Sequence, residues 1–290
     1  MGEQQRVQAA LNARIAAKIP ADSWESIIPI VVANPPSVHL LGTGSLFEIA
    51  GERFVVTAAH VIKAAHDKGK TIGISDDATS FIAVAGDWLL SAPVQRDGVE
   101  DPFDVAVYRL SQPAVERLRA KRFLRRADVE FGEQSATALF ALFGFPGLWT
   151  MTSRGDGEKL QLKALEYVTY ASSADRKQLT GFDSRYHLLL CGAAEQITLP
   201  DGSDVVFQDR SGRAATFPRD LKGISGCAVW AIGDLTLPVE DWGPARVVGV
   251  QTGVYQESEV IRATRWVAVT TLLNETYPEL RPAMQLWAPR

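Results

Sequence analysis

Cysteine, histidine and long apolar runs are all scarce in this chain. It has two cysteines, Cys191 and Cys227, among 290 residues, so it does not have the cysteine density of a disulfide-stabilised extracellular domain. Its four histidines form no HExxH motif and no CxxC pair is present, so nothing in the sequence indicates a metal site. No apolar run approaches the ~20 residues that a membrane-spanning helix needs. We therefore expect a soluble, cytoplasmic protein without metal or cofactor, its thiols reduced or joined in a single bridge.

An excess of charge of one sign is also absent. Thirty Lys and Arg residues stand against 34 Asp and Glu residues, which gives a net charge of −4. Nucleic-acid binding usually requires a basic surface, so we expect neither nucleic acid nor a membrane as a partner. A secretory signal peptide is not predicted, because acidic and basic side chains interrupt the N-terminal segment before any continuous apolar stretch forms.

The N-terminal segment has the periodicity of an amphipathic helix. Apolar residues recur at every fourth position, at Val7, Leu11, Ile15 and Ile19. This spacing predicts a helix over residues 3–19 that ends before Pro20. The ordinary use of such a stripe is packing against the protein's own core, and the alternative is the binding of a regulatory protein partner.

From Ser23 onward the sequence consists of short runs rich in Val, Ile, Phe and Thr, bounded by Gly, Pro, Asp and Asn. Many short strands of this kind, without long alternating helices, predict an all-β sandwich or a pair of β-barrels. Two short helices are predicted among the strands, over residues 59–68 and 114–125. The last predicted strand is Trp266–Val269, and a short tail follows it.

Two strand ends carry residues suited to proton transfer. His60 follows the apolar run that starts at Phe54, and an imidazole fixed by local packing can accept and return a proton near neutral pH. Asp104 immediately precedes an alternating strand, where a carboxylate can accept a hydrogen bond from a histidine Nδ1 and fix its tautomer. Taken singly, each residue also fits a structural role, as a packed histidine or as a strand-entry aspartate in a turn.

A third segment places Ser225 in a glycine-rich turn before another apolar strand. Gly223 and Gly226 flank it closely, and glycine allows the tight turn and the close approach of a bound carbonyl. The amides of Gly223 and Ser225 are therefore candidates for an oxyanion hole. The segment is not the Gly-x-Ser-x-Gly elbow of α/β-hydrolases, because position 227 is cysteine and the strand–helix alternation of that fold is missing.

In the order His, Asp, Ser, these segments resemble the chymotrypsin/trypsin-like serine peptidases. Thr57–His60 resembles the histidine box of the family, Asp104–Val107 its aspartate box and Gly223–Gly226 its nucleophile loop. Val247–Thr252 is similar to the strand that follows the nucleophile, and Phe143–Gly147 resembles the turn that opens the second barrel in bacterial stress proteases. Zymogen-type digestive members have Asp directly before the serine, where this chain has Ile224, so the resemblance is closer to the stress-protease type.

The resemblance implies two packed six-stranded antiparallel β-barrels. With the N-terminal helix that the periodicity predicts (1–22), the expected segments are a first barrel with His60 and Asp104 (23–130), a second barrel with Ser225 (131–275) and a short helical tail (276–290). The long spacing from Asp104 to Ser225 implies insertions near residues 149–158 and 172–184, which are polar and turn-rich. Such insertions either shape the substrate cleft or lie on the surface without a role in binding.

The resemblance also implies an activity. The chain would be a serine endopeptidase that cleaves peptide or protein substrates through an acyl-enzyme intermediate, without a cofactor. Ser225 would attack, His60 would transfer the proton, and Asp104 would orient His60. The walls of the primary pocket would consist of Arg219, Asp220, Leu221 and Lys222 on one side and Thr252, Gly253 and Val254 on the other. A preference for an acidic or for a basic side chain stays open.

Two alternatives to this activity are compatible with the sequence. A catalytically inactive trypsin-like module would bind a peptide as an added strand at the edge of the cleft. A thiol peptidase would use Cys227 or Cys191 together with His60, although the flanking glycines are arranged around Ser225.

Overall fold

The chain folds into two curled antiparallel β-sheets with few helices. The structure is a computed structural model, and it describes residues 13–34, 37–67, 69–75, 81–84, 86–91, 103–147, 151–153, 159–162, 164–173, 179–192, 196–198, 204–206 and 222–285. This architecture confirms the predicted all-β fold of the trypsin-like kind. Within those ranges no helix is long and apolar enough to cross a membrane.

The first sheet contains seven strands, where six are predicted. Its strands are β1 (Ile27–Asn34), β2 (Ser37–Ile49), β3 (Glu52–Ala58), β4 (Ile72–Ile74), β5 (Ile82–Ala83), β6 (Leu89–Leu90) and β7 (Val105–Arg109), in the order β5-β4-β1-β2-β3-β7-β6. The difference arises at the edges, where β5 and β6 are strands of two residues each. The pairing of β3 with β7 sets Ala58 opposite Val105, which brings the segments of His60 and Asp104 together.

The second sheet contains six strands. They are β8 (Ala138–Gly144), β11 (Leu165–Tyr170), β12 (His187–Cys191), β15 (Ala228–Asp234), β16 (Arg246–Tyr255) and β17 (Val260–Arg265), in the order β11-β8-β15-β16-β17-β12. Separate small hairpins are formed by β9 (Met151–Ser153) with β10 (Lys159–Gln161) and by β13 (Gln196–Thr198) with β14 (Asp204–Val206). Most of the predicted insertion at 149–158 and the middle of the one at 172–184 lie outside the described residues.

One expected strand in the C-terminal part is a helix. The α-helices within the described ranges are α1 (13–18), α2 (Ala59–His66), α3 (Gln112–Arg117), α4 (Trp266–Thr276) and α5 (Arg281–Gln285). The predicted strand Trp266–Val269 is therefore wrong, because it forms the first turn of α4. Trp266, Val269 and Leu273 have the spacing of one helix face and are completely buried. The run before them, for which no strand is predicted, forms β17.

The basic segment after β7 is less helical than predicted. A helix is predicted over residues 114–125, but α3 ends at Arg117. Beyond it, the Leu124 N–H donates to the Leu46 carbonyl over 2.9 Å, and the Leu124 carbonyl accepts from the Glu48 N–H over 2.8 Å. The segment therefore runs along β2, because the burial of Leu124 in the core outweighs the local helix propensity.

The N-terminal helix packs on the protein itself where it is described. Ile15 and Ile19 are buried in the main core, and Lys18 Nζ donates to the Trp242 carbonyl over 2.9 Å. Residues 1–12, with the rest of the predicted apolar stripe, lie outside the described residues. A regulatory protein partner for this helix stays a prediction.

One hydrophobic core joins the two sheets. It contains Phe47 and Phe54 of the first sheet and Phe140 and Trp230 of the second, all buried. Trp266 of α4 packs on Phe47 with ring centroids 4.0 Å apart. Burial of one such side chain stabilises a fold by roughly 1.5–3 kcal/mol. The shared core therefore fixes the two sheets against each other, and with them the residues that each sheet contributes to the site.

Candidate active site

His60 and Asp104 form a pair where β3 and β7 meet. His60 Nδ1 is 2.7 Å from Asp104 Oδ2, and the His60 backbone N–H donates to Asp104 Oδ1 over 2.9 Å. The Ala59 N–H donates to the Asp104 carbonyl, also over 2.9 Å. Both carboxylate oxygens therefore hold the same residue. This arrangement favours the tautomer with the proton on Nδ1, which leaves Nε2 as the basic nitrogen of the neutral ring.

The two members of this pair differ in their exposure to solvent. The Asp104 side chain is 13% exposed, whereas the His60 side chain is 49% exposed. Asp104 has a φ of 49°, in the left-handed region that costs a non-glycine residue on the order of 1 kcal/mol. From the second sheet, Thr264 Oγ1 donates to the Phe103 carbonyl over 2.6 Å and holds this turn in place. The fixed Asp104 carboxylate thus holds the His60 imidazole in a position where part of its ring is exposed.

The loop that carries Ser225 docks on the end of β3. Gly226 has a φ of +93°, a conformation that glycine adopts without the strain of a side chain. A Cβ at Gly226 would collide with the Thr57 hydroxyl and would lie 2.9 Å from the Ala58 nitrogen. The residue after Ser225 therefore contacts the strand end that leads into His60.

Thr43 of β2 fixes the same loop from the first sheet. Its N–H donates to the Ser225 carbonyl over 2.9 Å. Its hydroxyl donates to the Gly223 carbonyl over 2.8 Å and accepts from the Phe145 N–H over 3.0 Å. Thr43 is completely buried, so water does not compete for these hydrogen bonds. They fix the carbonyl groups of both residues whose amides are predicted to form the oxyanion hole.

Ser225 is half-buried, and its hydroxyl makes no hydrogen bond to His60 or to another residue within the described ranges. The amides of Gly223 and Ser225 likewise donate to no acceptor in the described part of the chain. In unliganded enzymes the hydrogen bonds of catalytic groups are often long and shorten when substrate binds. The structure thus brings the Ser225 loop to the His60 segment, and the hydroxyl and the two amides make no hydrogen bond within the described part of the chain.

The residues predicted for the pocket walls differ in their positions. Arg219, Asp220 and Leu221 lie outside the described residues. Lys222 is exposed, and Gly253 and Val254 are half-buried. Thr252 is buried, and its hydroxyl lies 3.0 Å from Thr264 Oγ1. The Thr252 side chain therefore supports β17 and the turn before Asp104.

One charged neighbour of Asp104 is not predicted from the sequence. Arg262 Nη2 lies 3.6 Å from Asp104 Oδ2, and the Arg262 side chain is only 16% exposed. Arg262 lies on β17 directly opposite Gly253 of β16, so its contact with Asp104 depends on that strand pairing. The apolar run Val260–Ile261 before it is the signal that indicates a strand here.

Both cysteines are free thiols. Cys227 is completely buried, and this burial raises its pKa to about 12, so the side chain is a neutral thiol near pH 7. Cys191 lies within β12, which pairs with β17. No group of three or more His, Cys, Asp or Glu side chains that could hold a metal occurs among the described residues.

The comparisons with known proteins give a likeness in structure only. No protein-family model matches the chain, and no curated protein matches it. It is similar to a thermostable serine protease, AL20, from an extremophilic microorganism, with 12% identity and a TM-score of 0.49 over 89% of this chain and 99% of that chain. A Glu endopeptidase in complex with MPD has 12% identity and a TM-score of 0.48 over 90% and 94% of the two chains. The structure of GrC has 14% identity and a TM-score of 0.49 over 90% and 97%.

Proposed function

We propose that the protein is a serine endopeptidase that cleaves peptide or protein substrates through an acyl-enzyme intermediate. The observation that carries the proposal is the 2.7 Å contact between His60 Nδ1 and Asp104 Oδ2, beside the strand end on which the Ser225 loop docks. A carboxylate-held imidazole with its other nitrogen accessible is the arrangement that activates a neighbouring hydroxyl. Its combination with a serine between two glycines therefore supports acyl transfer.

The first half of the reaction breaks the peptide bond. His60 Nε2 takes the proton from Ser225 Oγ as this oxygen attacks the substrate carbonyl carbon, and Asp104 stabilises the imidazolium that forms. The amides of Gly223 and Ser225 donate to the oxyanion of the tetrahedral intermediate. The imidazolium then gives its proton to the leaving amine, the C–N bond breaks, and Ser225 carries the acyl group as an ester.

The second half of the reaction restores the serine. A water molecule attacks the ester carbonyl and gives a proton to His60 Nε2. The second tetrahedral intermediate uses the same two amides and collapses as His60 returns the proton to Ser225 Oγ. The acid product then leaves, so that no group on the protein is consumed.

Apolar packing holds the nucleophile loop where zymogen-type peptidases would use an ion pair. Ile224 is buried, and a Cβ at Gly144 would lie 3.1 Å from the Ile224 Cβ. Together with the hydrogen bonds of Thr43, this packing supports a loop that is formed in the unprocessed chain. We therefore propose that activity does not require cleavage at the N-terminus.

The free thiols bear on the thiol-peptidase alternative and on the cellular location. A buried, neutral Cys227 thiol is a poor nucleophile, which disfavours a thiol peptidase that uses this residue. Free cysteines are typical of a reducing compartment, and the cytoplasm is the location that we propose. The inactive peptide-binding module is the alternative that an activity measurement distinguishes.

Hydrolysis of a complex peptide mixture tests the proposed function. The full-length protein is incubated with the mixture, and the new termini are mapped by mass spectrometry. We expect cleavage at preferred sites, and a rate at least ~10⁴-fold lower for Ser225→Ala because the nucleophile is gone. Ser135→Ala, which removes an exposed hydroxyl in the turn before β8, keeps the wild-type rate. Equal cleavage by Ser225→Ala, or none by the wild type, contradicts the proposal.

A further inference from the structure

The guanidinium of Arg262 lies over a glycine of the predicted substrate cleft. Arg262 and Gly253 are cross-strand partners in β17 and β16, so they share a face of the sheet. A Cβ at Gly253 would lie 3.4 Å from both Nε and Nη2 of Arg262. The guanidinium therefore lies within van der Waals distance of this part of the predicted cleft wall.

The N–H groups of the Arg262 guanidinium find few hydrogen-bond acceptors among the described residues around them. Its Nη2 is 3.6 Å from Asp104 Oδ2, beyond the 2.7–3.2 Å range typical of such hydrogen bonds. The two Asp104 oxygens already accept from the backbone and the ring of His60. The Arg262 Nε is buried and has no acceptor among the described residues. The ion pair with Asp104 thus leaves the buried Nε donor unsatisfied, which is costly in free energy unless a further acceptor joins it.

The position of Arg262 brings it within reach of a bound peptide. The Gly226 N–H, next to Ser225, donates to the Gln251 carbonyl over 2.8 Å, and Gly253, the cross-strand partner of Arg262, lies two residues farther along β16. An extended peptide advances ~3.3 Å per residue. A substrate whose scissile bond lies at Ser225 would therefore carry side chains past Arg262 within about three residues of that bond.

We propose that Arg262 binds a carboxylate side chain of the substrate and gives the protein a preference for peptides with Asp or Glu near the scissile bond. The guanidinium matches a carboxylate with two parallel hydrogen bonds, which would satisfy Nε together with one terminal nitrogen. The position of this subsite relative to the scissile bond rests on the proposed function. The binding of the acidic side chain itself does not require hydrolysis.

Positional peptide libraries test the preference. Eight-residue libraries fix Glu or Gln at one position and randomise the others, and the rates of hydrolysis are compared. We expect the wild type to favour Glu over Gln about 10- to 100-fold at one position near the cleavage site. Arg262→Gln should bring the Glu/Gln ratio of rates close to one. Arg262→Lys should keep part of the preference, because lysine retains the positive charge but cannot donate the two parallel hydrogen bonds.

A matched control variant and the response of the two libraries distinguish substrate recognition by Arg262 from a structural role beside Asp104. Arg246→Gln removes the same charge from the far end of β16, about 23 Å along the strand, and keeps both the ratio and the rate. If Arg262→Gln slowed the Glu and Gln libraries equally, Arg262 would act only on Asp104 and the proposal would be wrong. The absence of any Glu preference in the wild type would also overturn it.

A binding measurement separates this inference from the proposed activity. Fluorescein-labelled Glu and Gln libraries of the same design are titrated into Ser225→Ala, and anisotropy gives the affinities. We expect the Glu library to bind about 10-fold more tightly at the preferred position, with no difference in Ser225→Ala/Arg262→Gln. This result would support Arg262 recognition even if the wild type hydrolysed nothing. Equal binding of both libraries to Ser225→Ala would overturn it.

Discussion

Gly226 allows the nucleophile loop to lie against the first sheet. Its φ of +93° is one that L side chains rarely adopt. A Cβ at this position would also collide with the Thr57 hydroxyl and the Thr43 carbonyl. Both effects act on the residue next to Ser225, so a side chain here would move the loop away from the strand end that leads into His60.

We expect Gly226→Ala to lower stability and activity together. The free energy of unfolding should fall by about 2 kcal/mol or more, as measured by urea denaturation. The value of kcat/KM for a cleaved peptide should fall at least ~100-fold, because a small displacement of the nucleophile costs about this much.

Gly51→Ala is the control for backbone strain alone. Gly51 has a φ of +83°, and a Cβ there would meet no atom within 4 Å. We expect Gly51→Ala to cost about 1 kcal/mol in stability and to keep the wild-type kcat/KM. If Gly226→Ala matched Gly51→Ala in both measurements, docking of the loop on β3 would not matter for activity.

Local sequence predicts some of the residues around the site and not others. His60 and Ser225 stand beside markers that lie next to them in the chain, namely the end of an apolar strand and a glycine-rich turn. For Arg262 the adjacent apolar run Val260–Ile261 indicates only a strand, because the role of Arg262 depends on a strand pairing that places it beside Gly253 and Asp104. A contact between residues so far apart in sequence is set by the fold and not by the local pattern.

At the scale of elements, Thr43 connects β2 to two loops of the second half of the chain. Its hydroxyl donates to the Gly223 carbonyl and accepts from the Phe145 N–H. Removal of the hydroxyl leaves the partly buried Phe145 N–H and the buried Gly223 carbonyl without this partner, which typically costs about 1–3 kcal/mol. The loss also frees the peptide group that follows Gly223 to rotate.

We expect Thr43→Val to lower kcat about 10- to 100-fold, since an oxyanion-hole donor acts only when it is correctly oriented. The KM should change little, because the peptide-binding walls are untouched. Thr43→Ser keeps the hydroxyl and should recover most of the activity. Steady-state kinetics with one cleaved peptide measures all three proteins.

The control for a lost buried hydroxyl is Thr169→Val. Thr169 is completely buried in β11, and its hydroxyl donates to the Cys191 carbonyl over 2.6 Å. This variant should lose stability by about 1 kcal/mol and retain the wild-type kcat. A Thr43→Val protein with wild-type kcat would show that Thr43 supports the fold and does not orient the loop.

The elements were predictable where their periodicity was clear and tertiary contacts did not oppose it. The strand His187–Cys191 has the predicted bounds, and α2 begins where its helix is predicted. The strand predicted over Trp266–Val269 is a helix in the structure, because a short apolar run fits a buried strand as well as the first turn of a buried helix. Packing in the core, where Trp266 contacts Phe47, favours the helix over the strand.

At the scale of the whole molecule, the candidate site is composite. His60, in α2 after β3, and Asp104, directly before β7, belong to the first half, and the loop before β15 of the second sheet supplies Ser225. The density of short strands was enough to predict two β-rich halves. The sequence does not encode in any local pattern how closely those halves approach, because the shared core and the hydrogen bonds of Thr43 and Thr264 set that distance.

Covalent labelling of the full-length protein by a fluorophosphonate probe tests most directly whether these groups act together. Intact mass and peptide mapping should show one adduct, on Ser225. Labelling should be abolished in Ser225→Ala and slowed at least ~10³-fold in His60→Ala, which removes the general base, while Ser135→Ala should react like the wild type. An adduct that persists in Ser225→Ala, or an unreactive wild-type protein, would contradict the assignment of Ser225 as an activated nucleophile.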